Sequence, residues 1–284
     1  ATAVATSFAT GGTYQYGFSQ SAALTAALLY IFGLKGLSQH ETANMGCWTG
    51  IIASVLGICS VLFGPQWAAA DSARFFITAG IASALGLYVA LSADMMKMPE
   101  LVAGFHSFVG LAATFAGFAT FFGHMSAGTA ITGAKAIETI VGVAVGAFTF
   151  TGSVVAAGKL AGKIPGRPIE VPARFVQYFL SAAAGIGFSV LFAYPGVSSG
   201  WQLMALGSNA LIASYMGCIV VLPVGGADMP IVVSLLNAVS GIATSAAGFM
   251  LDNSMLVISG AVIASSGAFL SQIMCKGSTA LSAA

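Results

Sequence analysis

Nine mostly apolar stretches of about 20 residues succeed one another along the chain, at 19–37, 47–63, 75–91, 101–122, 138–160, 175–192, 201–221, 231–250 and 255–274. A helix needs ~20 such residues to cross the hydrocarbon core of a bilayer. The runs lack the alternation of a barrel strand, and a helix satisfies its own backbone hydrogen bonds in lipid. The pattern therefore predicts an all-α fold, a polytopic transmembrane bundle of about nine helices. Breakers fall between the runs: Gly64-Pro65, Pro99, Pro195-Gly196, Pro223 and Pro230. The longest connection, 161–174, holds Pro165, Pro168 and Pro172 and reads as a stiff crossover. We divide the chain into a polar N-terminal segment (1–18), a transmembrane domain (19–276) and a C-terminal tail (277–284). Residues of the AVILMFWYC set make up 58% of the chain and charged residues 6%. A soluble domain carries roughly 25% charged residues, so lipid must solvate most of this surface.

The same composition excludes several functions. A net charge of +1 offers no footprint for nucleic acid. Cys47, Cys59, Cys218 and Cys275 stand singly, so no metal site is expected. A bis-histidine haem needs two facing intramembrane histidines, and His40 and His124 fall in loops on opposite sides. Neither GxGxxG nor GxxxxGK[ST] occurs, so no cofactor is expected to bind this chain. The opening ATAVATSFATGGTYQYGFSQ has no Lys or Arg and does not read as an intact signal or transit peptide. With nine spans, Lys35, Lys97, Lys159, Lys163, Arg167, Arg174 and Lys276 fall on the side of the C-terminus, and only Arg74 and Lys135 on the other. That asymmetry predicts a C-terminus on the cytoplasmic or matrix-like side.

Ionisable and strongly polar residues inside spans are expensive, so each is a functional candidate. At 100° per residue, His106, Gly110, Ala113 and Gly117 share one face of the fourth helix, opposite Phe108, Leu111, Phe115, Phe118 and Phe122. Against a proton-binding role stands a neutral histidine that simply glues helices together. The eighth helix lines up Ser234, Asn237, Gly241, Thr244, Ser245 and Gly248; the Asn237 carboxamide must find partners in hydrocarbon. The fifth lines up Glu138, Gly142, Gly146, Thr149, Ser153 and Ala156. Its Gly142-to-Gly146 spacing is a GxxxG signal of close packing, while Ser153 could merely bond its own helix at i−4. Three such faces could enclose a narrow polar path with one titratable group. Asp94, Glu100 and Asp228, at helix ends, read by position as solvated charges or caps.

The segments MPELVAGFHSFVGLAA (98–113), FTGSVVAAGKLAGKI (150–164), GGADMPIVVSLLN (225–237) and SSGAFLSQIMCK (265–276) together resemble the β subunit of proton-translocating nicotinamide nucleotide transhydrogenase. That family couples hydride transfer from NADH to NADP⁺ to proton movement across an energy-converting membrane. The resemblance implies that His106 binds the proton, Asn237 and Ser153 line its path, and Asp228 links protonation to the NADP(H) domain. NAD and NADP would then sit on partner domains, and the partners would be lipid and the NAD(H)- and NADP(H)-binding chains, with a homodimer possible. The membrane would be the mitochondrial inner, bacterial plasma or a plastid membrane. The family chain continues after MCK into an NADP(H)-binding domain, whereas this sequence ends MCKGSTALSAA. The aromatic residues usual beside SG in the eighth helix are also replaced, by NAVSGIATSAAGFM. The alternative expectation is a transhydrogenase-derived structural subunit of a larger respiratory or photosynthetic complex.

Overall fold

The computed structural model describes residues 12–37, 40–62, 69–129, 131 and 133–282. They form nine α-helices and no strand: α1 (Gly12–Leu37), α2 (Ala43–Leu62), α3 (Ala69–Ser92), α4 (Met98–Ser126), α5 (Gly133–Leu160), α6 (Arg174–Ala193), α7 (Ser199–Val221), α8 (Met229–Met250) and α9 (Ser254–Ser282). Eight are long and apolar enough to cross a membrane; the apolar part of α1, Ser21–Gly36, is shorter. Helix α1 begins seven residues before the apolar run that predicted it. Helix α9 likewise continues through most of the segment read as a tail, because Gly-Ser-Thr-Ala contains no proline to stop a helix leaving the membrane.

The chain divides into two compact units, Ala1–Asp94 and Met95–Ala284. In the first, α1 and α2 pack antiparallel. Gly36 lies so close to Gly46 that a Cβ would sit 2.9 Å from the Gly46 Cα. Ser19 donates to the Ser60 carbonyl at 2.7 Å, and Tyr30 and Ser54 share a hydroxyl bond at 2.8 Å.

In the second unit α5 is the central helix, packed against α4, α6, α7 and α8, while α8 also packs on α4 and α9. The sequence explains its position. Its buried residues include Ala136, Thr139, Gly142, Gly146, Ala147, Thr149, Gly152 and Ala156, distributed around the helix. Small residues let helix backbones approach, and in lipid that packing drives association in place of a hydrophobic force. The closest approach is at Gly110 of α4, where a Cβ would lie 2.5 Å from the Gly146 carbonyl oxygen and 2.5 Å from the Phe150 nitrogen.

Side-chain ties close the ends of this unit. Lys135 of α5 donates to the Phe249 carbonyl (2.9 Å) and to Asp252 (3.0 Å) in the α8–α9 turn. Gln202 of α7 donates to the Ile131 and Phe192 carbonyls at 3.4 and 3.2 Å. At the opposite face, Gly226 N–H donates to the Gly166 carbonyl (2.7 Å) and Ile169 N–H to the Leu222 carbonyl (3.2 Å). The crossover and the α7–α8 connection are thus stitched together, on the face where α4 and α8 begin and α5, α7 and α9 end. Lys97, Lys159, Lys163, Arg167, Arg174 and Lys276 belong to this crossover face; of the unit's basic residues only Lys135 lies at the other end.

Candidate functional site

His106 lies eight residues into α4, Asn237 eight residues into α8, and Ser153 seven residues before the end of α5. At 1.5 Å per residue these positions lie ~12, ~12 and ~10 Å in from helix ends on the crossover face. The three helices touch pairwise, so the three polar side chains occupy one level of a three-helix junction.

His106 Nε2 and Asn237 Oδ1 are 3.0 Å apart. A carboxamide oxygen only accepts, so in this arrangement Nε2 carries the proton and donates it. The remaining ring nitrogen, Nδ1, is buried and has no hydrogen-bond partner among the described residues. In this tautomer its lone pair is left as an uncommitted acceptor. Ser153 is fully buried, and its hydroxyl is also without a partner among the described residues. Its neighbours behave differently: Thr149 donates to the Val145 carbonyl at 2.7 Å, and Thr151 to the Ser214 carbonyl at 2.7 Å. The i−4 bond that would make Ser153 a mere helix residue is not formed.

Close packing brackets this level on both sides. Toward the crossover face lies a cluster including Ala103, Val155, Ala156, Met229, Val232 and Leu236. Toward the other face come the Gly110–Gly146 contact and then Met250, whose side chain fills the space over Gly142 and approaches Gly117. Asp228 is elsewhere. It ends a 3₁₀ turn, Gly226–Asp228, and occupies the N-cap position of α8, where it makes no side-chain capping bond. It is exposed on the crossover face, nine residues before Asn237.

Two faces differ from the sequence expectation. The α8 stripe is split between neighbours. Ser234 donates to the Gly267 carbonyl (3.2 Å) and Ser245 to the Val257 carbonyl (2.9 Å), and Gly241 and Gly248 also pack on α9. Asn237 turns instead to His106. A stripe of small and polar residues marks where helices approach but does not name the neighbour. On α4, Phe108, Phe115 and Phe122 are exposed as expected, but Phe118 is partly buried against a core containing Phe121 and Phe192. Buried polar residues of α7, Gln202 and Asn209, were not singled out from the sequence; both are carboxamides inside the seventh apolar run. Lys159, counted in the sequence among the charges on the side of the C-terminus, is buried as well.

Removing Asn237 should leave a buried imidazole N–H unpaired, which costs about 1–3 kcal/mol. We expect Asn237→Leu to destabilise the bundle by that amount in a detergent-unfolding titration. Ser153→Ala removes a hydroxyl that bonds nothing among the described residues and should cost less than about 0.5 kcal/mol.

The model of the NAD(P) transhydrogenase beta subunit matches residues 19–280. The chain belongs to this family. Two Rhodospirillum rubrum proteins, each named NAD(P) transhydrogenase subunit beta and one assigned to a defined strain, are 39% identical to it over 267 residues, 92% of this chain. The match covers 56% of each relative, so the chain spans little more than half their length. Family membership and the apolar helices together make it an integral membrane protein. The matched region takes in most of each unit of the fold and all four candidate residues.

Proposed function

We propose that this chain is the membrane, proton-translocating part of an NAD(P) transhydrogenase, passing protons in step with hydride transfer between nucleotides held elsewhere. The observation that carries the reading is the His106–Asn237 pair, whose free Nδ1 lies level with the unpartnered Ser153 hydroxyl. Polar atoms not committed to fixed bonds are the ones able to change partners as a proton arrives and leaves. Asn237 holds one ring nitrogen, and the Ser153 hydroxyl is a further uncommitted polar group at the same depth. The close packing on either side fits an occluded state, in which a proton held on His106 communicates with neither face.

On this reading Asp228, exposed among basic residues on the crossover face, is the contact through which an NADP(H)-binding domain senses the state of α8. The NAD(H)-binding domain is a further partner, and a second copy of the chain is compatible with the assembly. Six of the second unit's seven basic residues belong to the crossover face, which orients that face and the end of α9 toward the cytoplasm or matrix of an energy-converting membrane.

The test is nucleotide-dependent proton uptake in proteoliposomes containing the whole complex, wild type against His106→Ala. Uptake by wild type alone is the expected result; a wild-type complex that moves no protons would leave a structural subunit as the better account. This chain by itself should show no saturable binding of labelled NADPH in equilibrium dialysis, since it lacks a glycine-rich phosphate turn and the βαβ unit around it. Micromolar affinity would reveal a site elsewhere in the bundle.

A further inference from the structure

Lys159 is the penultimate residue of α5, one step from the aqueous boundary, yet only 5% of it is exposed. A lysine in that position ordinarily extends its stem along the helix and places its ammonium among the headgroups. Lys163, four residues on, is exposed in this way. Lys159 instead turns inward, and its Nζ donates to two backbone carbonyls, Leu222 at 2.5 Å and Val224 at 2.7 Å. Burying an ammonium costs several kcal/mol unless it is well bonded, so the inward turn needs a physical cause.

The acceptors provide it. The last carbonyls of a helix have no partner within it and carry its negative dipole end. Leu222 is the C-cap of α7, and Val224 lies two residues beyond. The ammonium meets these oxygens where the α7–α8 connection leaves the membrane. The Leu222 carbonyl also accepts from Ile169 N–H, and Gly226 N–H donates to the Gly166 carbonyl. Beneath, the side chains of Leu222 and Val224 pack into the cluster that holds Ala156 and Met229. The segment is thus fastened from the crossover on one side and from α5 on the other, and it ends at Asp228.

We infer that Lys159 is a positioning residue, whose ammonium pins the 222–228 segment to the end of α5 and so fixes where Asp228 stands on the crossover face. The consequence for coupling rests on the proton-translocation reading above; the pin itself does not. Helix α5 also carries Ser153, six residues earlier, so one rigid helix bears both a member of the three-helix junction and the anchor of the segment that presents Asp228.

The experiment has two readouts on the same variants. In Lys159→Met the apolar stem and its packing remain and only the charged donors go; in Lys159→Arg a cation able to donate to two carbonyls is kept. Amide hydrogen exchange on the full chain in detergent micelles is followed at Val224, Gly226 and Asp228, whose N–H groups bond the Val221, Gly166 and Gly225 carbonyls. Lys159→Met should accelerate exchange there by roughly tenfold or more, the factor that losing a charge-assisted hydrogen bond carries. Exchange in the middle of α4 and α8 should not change. Lys159→Arg should stay within about threefold of wild type. In proteoliposomes of the whole complex, nucleotide-driven proton uptake should fall at least about tenfold in Lys159→Met and recover in Lys159→Arg. Unchanged exchange in Lys159→Met would overturn the pin. Faster exchange with full proton uptake would overturn its positioning role. A wild-type complex without uptake would overturn the transport reading instead, leaving the exchange result to decide the pin.

Discussion

Replacing His106 with alanine should lower nucleotide-driven proton uptake by at least ~100-fold, the loss expected when a positioned acid–base group is deleted, while the nine helices stay assembled. The side chain removed is partly buried and makes one inter-helix bond, to Asn237. The stability lost is therefore that of a single buried hydrogen bond with its orphaned acceptor, about 1–3 kcal/mol. Function and stability then separate. Asn237→Leu, with a similar loss of stability, keeps the imidazole ring and should retain measurable uptake. A scaffold would respond to both changes alike, in assembly or melting alone. Equal uptake by wild type and His106→Ala would remove His106 from the mechanism.

The level that unites His106, Asn237 and Ser153 was legible in the sequence. Each lies seven or eight residues from a helix end marked by proline or by a basic connection, and equal depth from one shared face means equal level. Helix count followed from the same arithmetic, because hydrocarbon thickness fixes the length of an apolar run. What periodicity could not supply was the identity of each neighbour. The α8 stripe contains two seams: Ser234, Gly241, Ser245 and Gly248 meet α9, and Asn237 meets α4. Both involve small or polar residues, so a single sequence cannot separate them. The burial of Lys159 escaped the sequence for a related reason. Its position near a helix end is what a snorkelling lysine shows, and only the helix-end carbonyls of Leu222 and Val224, brought alongside by the α5–α7 contact, turn it inward. Gln202 and Asn209 were hidden by the apolar average of the run around them, although a carboxamide in hydrocarbon demands partners as much as Asn237 does.

Gly110→Leu should abolish the native α4–α5 packing, and even Gly110→Ala should cost about 1–3 kcal/mol, the range for overpacking. The reason is what a Cβ would meet. At Gly110 the nearest atoms are the Gly146 carbonyl oxygen and the Phe150 nitrogen, both at 2.5 Å and both backbone. No rotamer change relieves such a clash; one helix must move away from the other. Gly104, six residues earlier on the same helix, provides the control, because nothing lies within 4 Å of its Cβ position. Gly104→Ala should be neutral or slightly stabilising, by up to ~1 kcal/mol from helix propensity. The pair is compared by detergent-unfolding titration of the purified chain. Gly110 is also one turn from His106, so an outward shift of α4 by an ångström would stretch the 3.0 Å bond to Asn237 past the ~3.5 Å beyond which a side-chain contact no longer counts as a hydrogen bond. The alanine variant should then lose proton uptake in proportion greater than its loss of stability. Equal stability of Gly110→Ala and Gly104→Ala would show that α4 and α5 do not cross at this glycine, and the three-helix junction built on that crossing would have to be abandoned.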